Sequence, residues 1–171
     1  MRLPYAQPGA EELALRAKEG TSPPNLQLAI AHAPDVAQAQ FELVRAACVG
    51  IAPRDKELVM LQVGLMTDNA YCWGHHVPPA LSAGLTEVQL RGVRSGDHDL
   101  LPSREQDLLA YCAAVVDQRV DDRIWNAVRA GRSDEEMVRL TMLIGFYTML
   151  GKVQAALQIP QDEGFGGFEQ P

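Results

Sequence analysis

The sequence contains few cysteines, few aromatic residues and no long apolar run. Three cysteines in 171 residues are too few, and odd in number, for a disulfide framework. No apolar run reaches the roughly 18 residues that indicate a membrane span, and the first residues lack the apolar core of a secretory signal. These absences predict a cytoplasmic protein that is not embedded in a membrane.

Positive charge is also scarce. The chain has 15 Lys and Arg against 22 Asp and Glu, which gives a formal net charge of −7. Nucleic acids and anionic membrane surfaces both select clustered basic residues, so neither is expected as a partner. Hydrophobic residues make up 47% of the chain and charged residues 22%, a composition typical of one globular domain.

Alanine and leucine are abundant, and few segments alternate apolar and polar residues with a period of two. Both features favour helix over strand, so we expect an all-α protein of about seven to nine helices. The expected organisation is an N-terminal arm with a short helix over residues 1–24, a single helical domain over 25–160, and a glycine-rich tail over 161–171. Side chains that cap helices are predicted at four points: Asn25, Asp35, Thr86, and Ser133 together with Glu136.

The most apolar predicted helix covers residues 54–67. Its apolar residues point in nearly every direction, which is typical of a buried helix, so its Glu57 needs a specific reason to be there. The next helix is predicted over residues 69–83. Pro78 and Pro79 are expected to kink it or to make it restart.

Chemically reactive side chains are concentrated in the predicted helix over residues 69–83. Cys72 and His76 are one turn apart and share a face if the segment is helical. A thiol near a helix N-terminus and beside an imidazole is a candidate nucleophile, and Glu57 could orient that imidazole. Two other interpretations remain open: Cys72 and His76 are ordinary core residues, or they form a metal site with His75 and Glu57. No second ligand pair with zinc-like spacing appears, so no metal is expected.

The stretch RDKELVMLQVGLMTDNAYCWGHHVPPALSAGLTEVQL (54–90) resembles the signature region of the carboxymuconolactone decarboxylase and alkylhydroperoxidase D family. The segments NLQLAIAHAPDVAQAQ and SDEEMVRLTMLIGFYTMLGKVQAALQIP extend the resemblance over about residues 24–160. It implies an all-helical bundle that assembles into trimers or hexamers.

The resemblance places Glu57 on the family's buried acid, Cys72 on the second cysteine of C-x-x-C, and His76 on the histidine four residues later. Asn69 occupies the position of the first cysteine, so the local thiol that resolves the oxidised cysteine in family peroxidases is absent.

Longer members of the family often read Tyr-Glu-Trp where this chain reads Tyr71-Cys72-Trp73. Cys72 therefore stands where many relatives have a glutamate. The resemblance leaves both peroxidase and decarboxylase chemistry open.

Three functions follow as alternatives. The first is a thiol-dependent, peroxidase-like oxidoreductase in which Cys72 attacks a hydroperoxide or disulfide. His76 is the base in this scheme, and Glu57 orients it. An external thiol, or Cys48, would reduce the oxidised Cys72 back to its thiol. The second is a cofactor-free decarboxylase or lyase that acts on a small lactone or carboxylate, with His76 as general acid and base. The third is a non-catalytic oligomeric binding protein.

The expected partners are a small-molecule substrate and further copies of the chain, without a cofactor. A substrate carboxylate could be anchored by one of three arginines: Arg45, Arg54 or Arg139. Residues expected to bind the substrate beside the catalytic three are Asn69, Tyr71, Trp73, His75 and Tyr147.

Overall fold

A computed structural model describes residues 1–6 and 24–165, and every regular element within them is a helix. The eight helices of these residues are α1 (Asn25–Ile30), α2 (Pro34–Cys48), α3 (Pro53–Met66), α4 (Ala70–Ser82), α5 (Glu87–Ser95), α6 (Ser103–Val116), α7 (Asp122–Arg129) and α8 (Asp134–Leu157). The predicted all-α class is confirmed. The short helix predicted near the N-terminus and the last residues of the tail lie outside the described residues.

Two of the predicted caps are present. Thr86 and Gln89 form a capping box at the start of α5, in which each side chain accepts a hydrogen bond from the other residue's backbone N–H. Ser133 and Glu136 form the same arrangement at the start of α8. These boxes satisfy N–H groups that the first helical turn leaves without partners.

The other two predicted caps are wrong. Asn25 is the first residue of α1 rather than its cap, and its side-chain amide donates to the carbonyls of Pro160 and Gln161. Asp35 lies inside the first turn of α2, which begins at Pro34. Proline suits the first helical position because its missing N–H would have no partner there, so α2 begins two residues earlier than the cap pattern predicts.

Helix α3 is the centre of the bundle and packs against α4, α6 and α8. One apolar cluster lies between α3, α6 and α8 and includes Val59, Leu108 and Ile144. A second lies between α3, α4, α5 and α6 and includes Leu58 and Trp73. Because partners surround α3, both of its faces are apolar, as the sequence predicted.

Helix α4 runs without interruption through its two prolines. The predicted restart at Pro78 does not occur. Gly84 follows the helix with a φ of +90°, a left-handed conformation that glycine adopts without strain. Because α4 is continuous, Cys72 and His76 remain one turn apart on the same side of one helix.

Helix α8 is long and apolar, and within the described residues it alone passes a length-and-composition test for a membrane span. The core helix of a soluble protein passes the same test. Here α8 packs against α2, α3 and α6, so contacts within the bundle account for part of its apolar character.

Candidate active site

The first turn of α4 is held in place by Asn69. The side-chain oxygen of Asn69 accepts a hydrogen bond from the backbone N–H of Cys72 (2.9 Å), and its backbone N–H donates to the carbonyl of Gly64 (2.7 Å). Its amide nitrogen donates to Gln154 of α8, and both of these side chains are buried. The residue at the family's first cysteine position therefore serves as the N-cap of the helix that carries Cys72.

Cys72 is buried, with 6% of its surface exposed. Its thiol donates a hydrogen bond to the carbonyl of Met60 on α3 (3.3 Å). Burial, and secondarily the negative charge of Glu57, raises the pKa of the Cys72 thiol to about 12. In this arrangement Cys72 is a protonated thiol at neutral pH.

Glu57 and His76 form a hydrogen-bonded pair between α3 and α4. The Nδ1 atom of His76 lies 2.8 Å from Oε2 of Glu57, and the Lys56 ammonium lies 3.2 Å from the other carboxylate oxygen. Burial acts to raise the pKa of Glu57, but the hydrogen bonds and charges of His76 and Lys56 outweigh it, so that pKa is lowered. Glu57 is therefore ionised at neutral pH.

An ionised carboxylate can only accept hydrogen bonds, so Nδ1 of His76 carries the hydrogen that faces Glu57. In the neutral imidazole the other ring nitrogen, Nε2, is then unprotonated. No described residue makes a hydrogen bond to this Nε2 atom, which leaves it available as a base.

Cys72 and His76 line the same cavity of about 280 Å³. Its walls come from the residue before α1 and from α1, α2, α4 and α8: Pro24, Leu26, Gln27, Gln40, Phe41, Val44, Tyr71, Cys72, His75, His76, Phe146, Tyr147, Leu150 and Gln154. Within the described part of the chain, no Lys, Arg, Asp or Glu lines this cavity. The walls are thus mostly apolar, with amide, phenol, imidazole and thiol groups.

The three predicted carboxylate anchors lie elsewhere. Arg54 binds the carboxylate of Glu105 (2.7 Å) and the carbonyl of Gly84. Arg139 binds Glu135, and Arg45 is exposed on α2. None of these three arginines lines the cavity. They were proposed on residue type alone, since sequence spacing does not show which helix face meets the site.

Tyr71 and His75 do line the cavity, but their polar groups are already engaged. The Tyr71 hydroxyl donates to Oδ2 of Asp162 (2.6 Å), and Nε2 of His75 lies 2.8 Å from the same oxygen. The His75 ring stacks between Tyr71 and Phe165, with centroid distances of 4.4 and 4.0 Å. Burial lowers the pKa of His75, although Asp162 acts in the opposite direction. Tyr71 and His75 therefore stabilise one wall of the cavity.

Sequence reasoning missed Asp162, because a single aspartate in a glycine-rich tail carries no signal. Its other oxygen accepts from the backbone N–H of Asn25 (2.7 Å), so it joins α1 to α4. Residues 161–165, predicted as part of a separate tail, pack on α4. At Gly74 a side chain would collide with Gln161 and the carbonyl of Phe165.

Trp73 is placed differently from its predicted role. It is fully buried in the apolar cluster with Leu58 and Leu61, and it does not line the cavity. Consecutive helical residues point about 100° apart, so a helix that turns Cys72 toward the cavity turns Trp73 toward α3 and α5.

The remaining cysteines lie in or beside the core. Cys112 is fully buried and Cys48 is half-buried beside the same cluster; both thiols are free, and burial raises the pKa of each. Neither lines the cavity. Among the described residues, no three potential metal ligands lie together.

A comparison with known protein families points to one of them. Residues 34–97 match the model of the carboxymuconolactone decarboxylase family. This match supports the resemblance to the carboxymuconolactone decarboxylase and alkylhydroperoxidase D-like family that the sequence predicted.

Several solved structures share the fold. A peroxidase-related protein from Ralstonia eutropha JMP134, described as an alkylhydroperoxidase AhpD core, is 19% identical with a TM-score of 0.83; the match covers 99% of this chain and 97% of that one. A peroxidase-related protein from Silicibacter sp. TM1040 is 18% identical with a TM-score of 0.82, covering 99% and 95%. The debrominase Bmp8, as a cysteine-to-alanine variant in complex with 2,3,4-tribromopyrrole, is 17% identical with a TM-score of 0.77, covering 94% and 92%. No curated protein matches the chain significantly.

Proposed function

We propose that this protein is a thiol-dependent, peroxidase-like oxidoreductase that acts on a small neutral substrate. The observation that carries the proposal is that the Cys72 thiol and a histidine oriented by a buried carboxylate line one apolar cavity. Nucleophile, base and orienting group are the three parts that a thiol enzyme needs.

The reaction begins with proton transfer. Nε2 of His76 takes the proton of Cys72, and the thiolate attacks the terminal oxygen of a hydroperoxide. A sulfur–oxygen bond forms and the oxygen–oxygen bond breaks; the alkoxide that leaves takes the proton back from His76. The products are a sulfenic acid on Cys72 and an alcohol.

An external thiol then restores the enzyme. Its sulfur attacks the sulfenic sulfur, water leaves, and a mixed disulfide remains on Cys72. A second thiol releases the free Cys72 and carries away the external disulfide. The external reductant is needed in this scheme because Asn69, and not a second cysteine, lies at the start of α4.

The scheme needs a Cys72 thiolate although the pKa of this thiol is raised, and Glu57 explains how the thiolate can still form. While His76 is neutral, the charge of Glu57 opposes formation of the thiolate. When His76 accepts the proton, the resulting cation pairs with Glu57 and faces the new thiolate from the same helix. Formation of the nucleophile is thereby linked to protonation of His76.

The lining of the cavity favours a neutral substrate. A carboxylate would enter an apolar site near the negative charge of Glu57, and none of the described lining residues is a cation that could compensate for its lost hydration. The names of the peroxidase-related neighbours and of the debrominase bound to a halogenated pyrrole are consistent with thiol chemistry on small uncharged molecules.

The first experiment compares cysteine variants with cumene hydroperoxide as substrate and dithiothreitol as reductant. We expect Cys72→Ser to abolish peroxide consumption, and Cys112→Ser, a buried thiol outside the cavity, to retain it. Dimedone labelling followed by mass spectrometry should locate the sulfenic acid on Cys72. Equal loss in both variants would contradict the proposal. A disulfide between Cys48 and Cys72 would instead identify Cys48 as the resolving thiol.

The second candidate is a cofactor-free lyase. It is favoured by the Glu57–His76 pair itself, which is a complete acid–base unit without the thiol. Turnover of a small lactone that survives Cys72→Ala and is lost in His76→Ala would establish this function in place of the first. Because no cation lines the cavity among the described residues, a carboxylate is a weaker candidate substrate than a neutral molecule.

A further inference from the structure

Tyr147 is a cavity residue whose hydroxyl has no role in the scheme above. It lies on α8 and lines the cavity together with Cys72 and His76. Its ring meets the His76 ring edge-on, with centroids 5.3 Å apart, and meets Phe146 in the same way at 5.5 Å.

The Tyr147 hydroxyl has no hydrogen-bond partner among the described residues. The Tyr71 hydroxyl in the same cavity, by contrast, is bound to Asp162, and the Tyr111 hydroxyl outside the cavity pairs with Thr141 at 2.6 Å. A phenol that lines the cavity in this way has a donor without a partner in the described part of the protein. A bound molecule can supply that partner.

The surroundings of Tyr147 also keep its hydroxyl a donor. Burial, and then the ionised forms of Cys72, Cys48 and Glu57, raise the pKa of Tyr147 above its ordinary value. The hydroxyl therefore stays protonated near the groups on which negative charge develops during the reaction.

From this geometry we infer that Tyr147 is a further catalytic residue, whose hydroxyl donates a hydrogen bond to the substrate oxygen that leaves as an alkoxide. The inference rests on the proposed function. His76 supplies the proton that this oxygen finally keeps, and Tyr147 stabilises its charge before the proton arrives. After the reaction the same bond holds the product alcohol.

The first test is Tyr147→Phe, with Tyr111→Phe as the matched loss of a hydroxyl outside the cavity. We expect Tyr147→Phe to slow the oxidation of Cys72 by cumene hydroperoxide about 100-fold, as loss of one such donor does elsewhere. Alkylation of Cys72 by iodoacetamide at pH 10 has no leaving oxygen, so its rate should not change. An equal fall in both rates would show that Tyr147 only shapes the site and would overturn the inference.

The second test is independent of turnover. Binding of 2-phenyl-2-propanol, the alcohol formed from cumene hydroperoxide, should weaken about fivefold in Tyr147→Phe, whereas binding of cumene, which has no acceptor, should not change. If the wild-type protein binds the alcohol in this way but does not react with peroxide, the proposed function fails and the role of Tyr147 as a donor stands. Equal affinity of wild type and variant for the alcohol, or failure of the wild type to bind it, overturns the inference.

Discussion

The thiol of Cys72 donates a hydrogen bond to the backbone carbonyl of Met60. Its position near a helix N-terminus, taken alone, favours the thiolate. Burial and the charge of Glu57 outweigh that effect, since together they raise the pKa to about 12. The residue types thus identified a candidate nucleophile, whereas its resting protonation state depends on the surrounding structure.

Alkylation of Cys72 should therefore be slow at neutral pH and accelerate only as the pH approaches its raised pKa of about 12. Glu57→Gln removes a negative charge that opposes the thiolate, so it should shift this reactivity to lower pH. The measurement is the rate of iodoacetamide labelling of each cysteine, followed by mass spectrometry from pH 6 to 11.

Glu105→Gln is the control for this experiment, because Glu105 is also a buried carboxylate but is paired with Arg54 outside the cavity. Rapid labelling of wild-type Cys72 at pH 7 would show that its thiolate is already formed at rest and would contradict the burial argument.

At the scale of elements, the start of α4 depends on a close approach of α8. A side chain at Gly151 would lie 2.8 Å from the Thr67 hydroxyl and 3.4 Å from the Asn69 amide nitrogen. Thr67 is held by its own hydrogen bond to the carbonyl of Val63 (2.7 Å). The sequence does not distinguish Gly151 from Gly145, because tight packing depends on where the neighbouring helix lies.

The two glycines of α8 offer a matched pair of variants. Gly151→Ala should lower the free energy of unfolding by about 1–3 kcal/mol, because the new methyl group overpacks against Thr67. Gly145→Ala meets no atom within 4 Å and should raise it by roughly 0.5–1 kcal/mol, since alanine favours a helix. Urea denaturation measures both, and equal effects of the two substitutions would contradict this packing.

At the scale of the whole molecule, α8 also presents an apolar face away from the core. Val138, Met142 and Met149 are exposed along it, with Leu43 of α2 beside them. The homo-oligomer implied by the family remains a prediction, and this face is where we expect copies of the chain to meet.

Light scattering at micromolar concentration should then give a multiple of the chain mass for the wild-type protein. Met142→Asp should reduce that mass by placing a charge in the contact, whereas Val88→Asp, at an exposed apolar position on α5, should leave it unchanged. A wild-type monomer would refute the prediction.

The sequence by itself determined the helical class and the approximate extents of α3 and α4, and it predicted Glu57, Cys72 and His76 as candidate site residues. These features depend on local properties: the spacing of apolar residues, capping side chains and a motif within a short stretch of chain. The capping boxes at Thr86 and Ser133 were predictable for the same reason.

Tertiary structure alone decided which of the neighbouring side chains face the cavity. Trp73 lies in the core, and Asn69 is the N-cap of α4 and binds Gln154. Asp162, near the end of the chain, binds Tyr71 in one wall of the cavity. Each of these outcomes depends on contacts between residues that are distant in sequence. Helical periodicity shows which residues share a face, but only packing against other helices shows whether that face meets the core, a cavity or solvent.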